Sequence, residues 1–206
     1  MDAIRNMSLY TVKNLGQLLV KLNLYLRYGY VRYAVRYIPD DKELEQVDTE
    51  ILKAYDVTFH RTTRANRRKK GLGNVVYIRY KQMFILLADE GKHEAFDRIK
   101  WLTFRTHPLH FQGYSVGIKA NKPNIIVEPK RWKAIKKKAL AISLHDRKTV
   151  VRHFQQISPF TFAGITNQKW KLFLVVNKKR KRAGLPKIRW EEAVLWKSTK
   201  SRDAEN

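Results

Sequence analysis

Residues 75–91 read VVYIRYKQMFILLADEG, and the way this stretch divides decides the fold. Val76, Ile78 and Tyr80 alternate with Tyr77, Arg79 and Lys81, the period of two that belongs to a strand with two unlike faces. Met83 to Ala88 is continuously apolar, as in a strand covered on both faces. Strands are therefore expected over 75–80 and 83–88, turning near Lys81–Gln82, with the second central in its sheet.

Upstream, Val12, Leu15, Leu19, Leu22 and Leu26 recur at three- and four-residue spacing, which predicts an amphipathic helix ended by Gly29. Residues 30–38, YVRYAVRYI, alternate again. Val31, Tyr33, Val35 and Tyr37 share one face, with Tyr33 and Tyr37 expected in the core, and Arg32, Ala34 and Arg36 share the other. Pro39 stops this strand, and Asp40 or Asp41 is expected to cap a helix over 42–56 with the stripe Leu44, Val47, Ile51, Leu52 and Tyr55. Residues 58–74, TFHRTTRANRRKKGLGN, are almost without apolar side chains and read as a basic connecting loop.

Downstream, a short helix is expected at 92–100 and strands at 101–105, 113–119 and 124–128, the last two joined by a turn at Asn121–Lys122–Pro123. From Pro129 the period becomes helical. Helices are expected over 130–144, over 147–157 with Asp146 as N-cap, from Thr166 to a stop at Gly184, and at 190–196. The expectation is an α+β fold, with a mixed or antiparallel sheet and flanking helices in the N-terminal part and a helical C-terminal part. It divides into residues 1–128, a basic helical region at 129–197 and a frayed tail at 198–206. No internal repeat is visible.

Charge points to the partner. Forty-three Lys and Arg against eighteen Asp and Glu leave a net charge of +25 on 206 residues. Residues 40–56 alone carry net −5, so the remainder carries +30. Such self-repulsion is offset by a polyanion, and nucleic acid is the commonest inside cells. With 44% hydrophobic and 12% aromatic residues the chain is too apolar for a disordered basic tail. Cysteine is absent, which excludes disulfides, thiolate metal sites and cysteine nucleophiles. The first 26 residues are too interrupted by polar side chains for a signal peptide, and no apolar run is long enough to span a bilayer. A soluble, cytoplasmic or otherwise intracellular protein in a reducing compartment, with no membrane partner, is expected.

Three basic runs are the candidate binding residues. The first, behind His60, holds Arg61, Arg64, Arg67, Arg68, Lys69 and Lys70, with Gly71 and Gly73 expected to let the loop follow a phosphate backbone. The second is Lys130, Arg131, Lys133, Lys136, Lys137 and Lys138 on a helix; the third is Lys178, Lys179, Arg180, Lys181 and Arg182 in the last turns of another, where the dipole favours cations. Arg32, Arg36 and Arg79, interleaved with tyrosines, are expected on a ligand-facing side of the sheet. These residues predict a non-enzymatic RNA-binding subunit or cofactor of a ribonucleoprotein, RNA being favoured over DNA. The acidic helix 40–56 offers a surface for another protein subunit.

Two other classes are weighed against this one. A metal-dependent nuclease or transposase-like enzyme would need clustered ligands, for which Asp89, Glu90, His93, Glu94 and Asp97 are the available set, with His107 and His110 nearby in sequence. The His-Pro-Leu-His spacing does not place both rings on one strand face. No phosphate-binding loop, nucleophile elbow or dinucleotide fingerprint is present, so no catalytic residue, metal or cofactor is assigned. A sequence-reading DNA-binding protein would use residues 146–182, but the turn SPFTFAGI is long for a helix-turn-helix.

Overall fold

The computed structural model describes residues 9–194 and has the α+β architecture expected. The chain forms two compact units, one of residues up to 109 with 116–124, the other of residues 110–115 with those from 125 on.

The first unit is built on a five-stranded mixed sheet. Its strands are β1 (Thr11–Val12), β2 (Arg32–Tyr37), β3 (Val75–Tyr80), β4 (Met83–Ala88) and β5 (Leu102–Thr103), in the order β1-β3-β4-β2-β5. β3 and β4 have the bounds read from sequence, and the turn between them puts Lys81 at φ +55°. β4 is the central strand, antiparallel to both neighbours, with Ile85 opposite Ile78 on one side and Val35 on the other. β1 joins the edge in parallel, a pairing no local pattern announces.

Both faces of this sheet are buried. One carries a core of Val75, Tyr77, Phe84, Leu86 and Ala88 with Leu52 and Tyr55 from the helix α2 (Leu44–Ala54) and its end. The opposite set, Val76, Ile78, Ile85 and Leu87, is equally enclosed. Helix α1 (Leu15–Arg27) buries Leu19, Leu22 and Leu26 as the spacing predicts, together with Leu18, whereas Leu15 is only partly buried and Val12 lies in β1 before the helix. Truncating any one of the buried leucines to Ala costs about 2–5 kcal/mol. Asn14 caps this helix by accepting the Gln17 N–H, and Gly29 follows at φ +86°.

Some expectations fail here. Tyr33 is in the core, but Tyr37 is 69% exposed, because β2 runs past the covered part of the sheet by its last two residues. Neither Asp40 nor Asp41 caps α2: Glu43 holds that position without a side-chain bond, and Asp40 instead accepts from the Gln82 amide. The expected helix at 92–100 is a 3₁₀ turn over Glu94–Arg98, and the expected strand at 101–105 shrinks to β5.

A three-stranded ribbon follows, β6 (Leu109–Phe111), β7 (Tyr114–Lys119) and β8 (Lys122–Val127), in that order. Both hairpins turn on left-handed pairs, Gln112–Gly113 and Ala120–Asn121. The second turn thus precedes Lys122 and Pro123, which lie in β8; proline is tolerated there because β8 is an edge strand.

The second unit is mostly helical: α4 (Pro129–Ala141), α5 (Arg147–Gln156), α6 (Ala163–Arg182) and a short α7 (Trp190–Ala193). Pro129 occupies the first turn of α4, and Asp146 caps α5 through the Thr149 N–H at 2.9 Å. α6 begins at Ala163, a turn before the expected cap Thr166, and closes at Gly184 with φ +70°. The core of this unit joins Val150 and Phe154 to Ile165, Phe173 and Val176. Residues 195–196 of the expected last helix and the expected tail at 198–206 lie outside the described residues.

Candidate nucleic-acid interface

The basic stretch at 61–70 is a helix rather than a loop. α3 (Arg61–Lys69) contains no buried residue and no acid, and its last turn carries Arg67, Arg68 and Lys69. Gly71, at φ +72°, ends it in a Schellman turn, with the Leu72 N–H on the Arg67 carbonyl at 2.9 Å and the Gly71 N–H on Arg68 at 3.0 Å. The two glycines therefore serve the fold, not a mobile loop. A Cβ on Gly73 would stand 2.8 Å from the Phe96 ring.

The helix is pinned through its own arginines. Arg64 donates to the Val57 carbonyl at 2.7 Å. Arg67 donates twice to the Gly73 carbonyl, at 2.9 and 3.2 Å, and lies over the Phe59 ring. Arg68 donates to Asp89 at 2.8 Å and covers Tyr30. That leaves Arg61, Lys69 and Lys70 as the run's outward cations without such a tether, alongside the partly exposed Arg68.

The sheet arginines separate in the same way. Arg79 donates to Asp48 at 2.7 Å, and its side chain is 15% exposed, so it is an internal clamp and not a ligand-facing group. Asp48 is fully buried and also accepts the Tyr77 hydroxyl, whose pKa is pushed far up by burial and by that carboxylate. Asp48 thus serves the core and is not part of the surface the acidic helix offers a partner. Arg32 is half-buried over the Phe96 ring at 5.5 Å; Arg36 is exposed and bonds only the Val35 carbonyl beside it.

In the second unit the cations stand largely free. Lys130, Lys133, Lys136, Lys137 and Lys138 are all exposed along α4. Arg131 is exposed too, but its guanidinium lies over Tyr114 at 5.5 Å and against Gly113, which fixes its direction. On α6, Lys178, Lys181 and Arg182 are exposed, and Lys179 reaches the Leu140 carbonyl at 3.0 Å. Arg180 is the exception. It is 1% exposed and donates to the carbonyls of Ser143, His145 and Pro186 at 2.8–2.9 Å, so it ties two loops to α6 and cannot meet a phosphate. Between Pro129 and Trp190 the sole acidic residue is Asp146.

The candidate metal ligands do not converge. Asp89 is 5% exposed, and its oxygens accept the Asn74 backbone and side-chain N–H groups, at 2.7 and 2.9 Å, besides Arg68. Glu90 points to Arg105 at 3.4 Å, and His93 accepts the Ala95 N–H and stacks on Phe96. Burial and the Arg67 charge push the His93 pKa down, against the opposing pull of Asp56. His107 pairs with Thr106, and His110 is exposed. Among the described residues no three His, Asp or Glu side chains are grouped to hold a metal ion.

The six residues between α5 and α6 are two or three more than a helix-turn-helix turn uses, and Ser158 within them is hydrogen-bonded to Tyr114 at 3.1 Å. None of the described helices is long and apolar enough to cross a membrane. No known protein family, curated protein or solved structure matches the chain.

Proposed function

We propose that this chain is a nucleic-acid-binding protein that acts by holding phosphates, with RNA favoured over DNA, as a subunit or cofactor of a ribonucleoprotein. One observation carries the reading: α3, α4, α5 and α6 contain no Asp or Glu, while their exposed positions are rich in Lys and Arg. A helix kept soluble by charge alone would mix signs, because opposite charges three or four residues apart stabilise it and like charges do not. Four acid-free helices in sequence accept that repulsion, which a polyanion would relieve. Within the second unit the cations stand on three separate helices, α4, α5 and α6, rather than along one recognition element, which suits the dispersed phosphates of a folded RNA. The exposed acids of α2, Glu45 and Glu50 with Asp40 and Asp41 before it, remain the surface proposed for a protein subunit.

The test is to isolate the full chain without nuclease treatment and follow what copurifies through a salt gradient. A discrete RNA retained at moderate salt supports the reading. With purified components, six phosphate contacts on duplex DNA would give a slope of about −5 in log affinity against log salt, and somewhat less on single strands. Affinity indifferent to salt would refute it.

A further inference from the structure

The basic end of α6 borders an aromatic cluster that the phosphate reading does not use. Trp170 and Phe173, one turn apart, stack at 5.4 Å with planes 18° apart. Trp190, at the start of α7, meets both edge-on, at 5.0 and 5.1 Å. Beside this cluster lies an open groove of about 510 Å³. Phe173, Ile188 and Trp190 supply its apolar wall, and Lys178, Lys181 and Lys187 its rim. No acid lines it.

The groove is held open by its own polar frame. Asn177 is buried; its amide donates to the Ile188 carbonyl at 3.1 Å and accepts the Ile188 N–H at 3.0 Å. This pair of bonds anchors segment 187–190 against α6 without occupying the groove. Gln155 holds the Glu192 carbonyl, and Arg147 engages the Glu192 carboxylate. Leu174, 49% exposed, extends the apolar strip on α6 towards solvent.

An apolar aromatic wall with three ammonium groups and no acid among the described lining residues suits a flat, uncharged ring carrying a negative charge one bond-chain away. We infer that this groove takes an unpaired base of a single-stranded nucleic acid, with the base against the partly exposed Trp190 ring, which the buried Phe173 backs, and the flanking phosphates on Lys178, Lys181 and Lys187. The inference rests on the nucleic-acid reading and adds to it a strand preference. A base inside a duplex has both faces stacked on neighbours and cannot enter, so the groove selects unpaired segments, loops and ends. The three lysines alone would accept phosphates of any strand; the aromatic wall discriminates.

The experiment compares two probes on the full chain at fixed moderate salt: a fluorescent twelve-nucleotide single-stranded RNA, and a strand of equal length and charge lacking bases. The expected result is at least about tenfold tighter binding of the strand that carries bases, with quenching of tryptophan fluorescence. Trp190→Leu should remove most of that gap and leave the abasic strand's affinity unchanged. Because Trp190 contributes to packing, Trp190→Phe serves as the rescue, and the exposed pair Lys178→Gln/Lys181→Gln tests the rim without touching the core. That pair should weaken both probes and preserve their ratio. Equal affinity for the two probes would overturn the base-binding inference while leaving phosphate binding intact. Failure of both probes to bind at low salt would overturn the functional reading itself. Quenching by an acidic amphipathic peptide instead of the RNA, lost in Trp190→Leu, would overturn the inference in favour of a protein segment.

Discussion

The Nε of Arg68 stands 2.8 Å from a carboxylate oxygen of Asp89, so one cation of the basic run and one of the candidate metal ligands neutralise each other. The pair joins α3 to the end of the central strand. The other oxygen of Asp89 accepts the buried Asn74 N–H, which makes Asp89 the acceptor on which the start of β3 depends.

Asp89→Ala is therefore expected to lower the stability of the first unit by about 2–3 kcal/mol, chiefly by stranding buried Asn74 donors. Arg68→Gln should cost less, about 1 kcal/mol, since its side chain is 39% exposed and water replaces the lost partner. Urea unfolding of both variants checks the asymmetry. Equal losses would contradict it.

Arg180 and Arg182 are neighbours in one basic run with opposite duties. Arg180→Met should destabilise the second unit by about 1–3 kcal/mol, as buried carbonyls lose their charged donor. Arg182→Met should stay within about 0.5 kcal/mol of the parent. If Arg182 meets a phosphate, that variant should also reduce the salt slope of RNA binding by about 0.7. Thermal melting and binding isotherms separate the two effects.

Histidine sets an acid limit on stability. Burial lowers the pKa of both His93 and His153 below the ordinary 6.5. The unfolded chain then binds protons at a higher pH than the folded one, so stability is complete above about pH 6.5. It falls as pH drops below that value and levels off once the folded-state pKa values are passed. Replacing His93 or His153 with Gln should flatten the decline, measured as the urea midpoint between pH 7.5 and 5.

Gly91 lies where the 3₁₀ approach crosses the end of α3. The Lys92 N–H bonds the Gly71 carbonyl at 2.9 Å, and the Gly73 N–H bonds the Lys92 carbonyl at 2.6 Å. A Cβ on Gly91 would overlap the backbone of Leu72 and Gly73. Gly91→Ala should destabilise by about 1–3 kcal/mol, whereas Gly184→Ala meets no neighbour and pays only for its left-handed backbone. Melting temperatures of the two variants rank them.

Much of the secondary structure was legible because its signals are local. The alternation before Lys81 and the unbroken apolar run after Gln82 define β3 and β4 to the residue, and the leucine spacing of α1 names Leu19, Leu22 and Leu26 of its buried face. α3 was missed because a helix without an apolar stripe has no period to read; it persists through arginine bonds to Val57, Gly73 and Asp89, none of which lies inside the helix. The parallel docking of β1 on β3 was equally silent, since two residues carry no pattern.

For the site, the sequence by itself determined the net charge, the acidic balance of residues 40–56 and the presence of three basic runs. Charge is a sum over residues and needs no coordinates. Which cations are free was decided only by the tertiary structure. Arg79, Arg68 and Arg180 look like their neighbours in the chain, but their acceptors come from Asp48, Asp89 and the carbonyls of Ser143, His145 and Pro186. A guanidinium is committed or available according to what folding brings within 3 Å of it, and distance along the chain does not encode that.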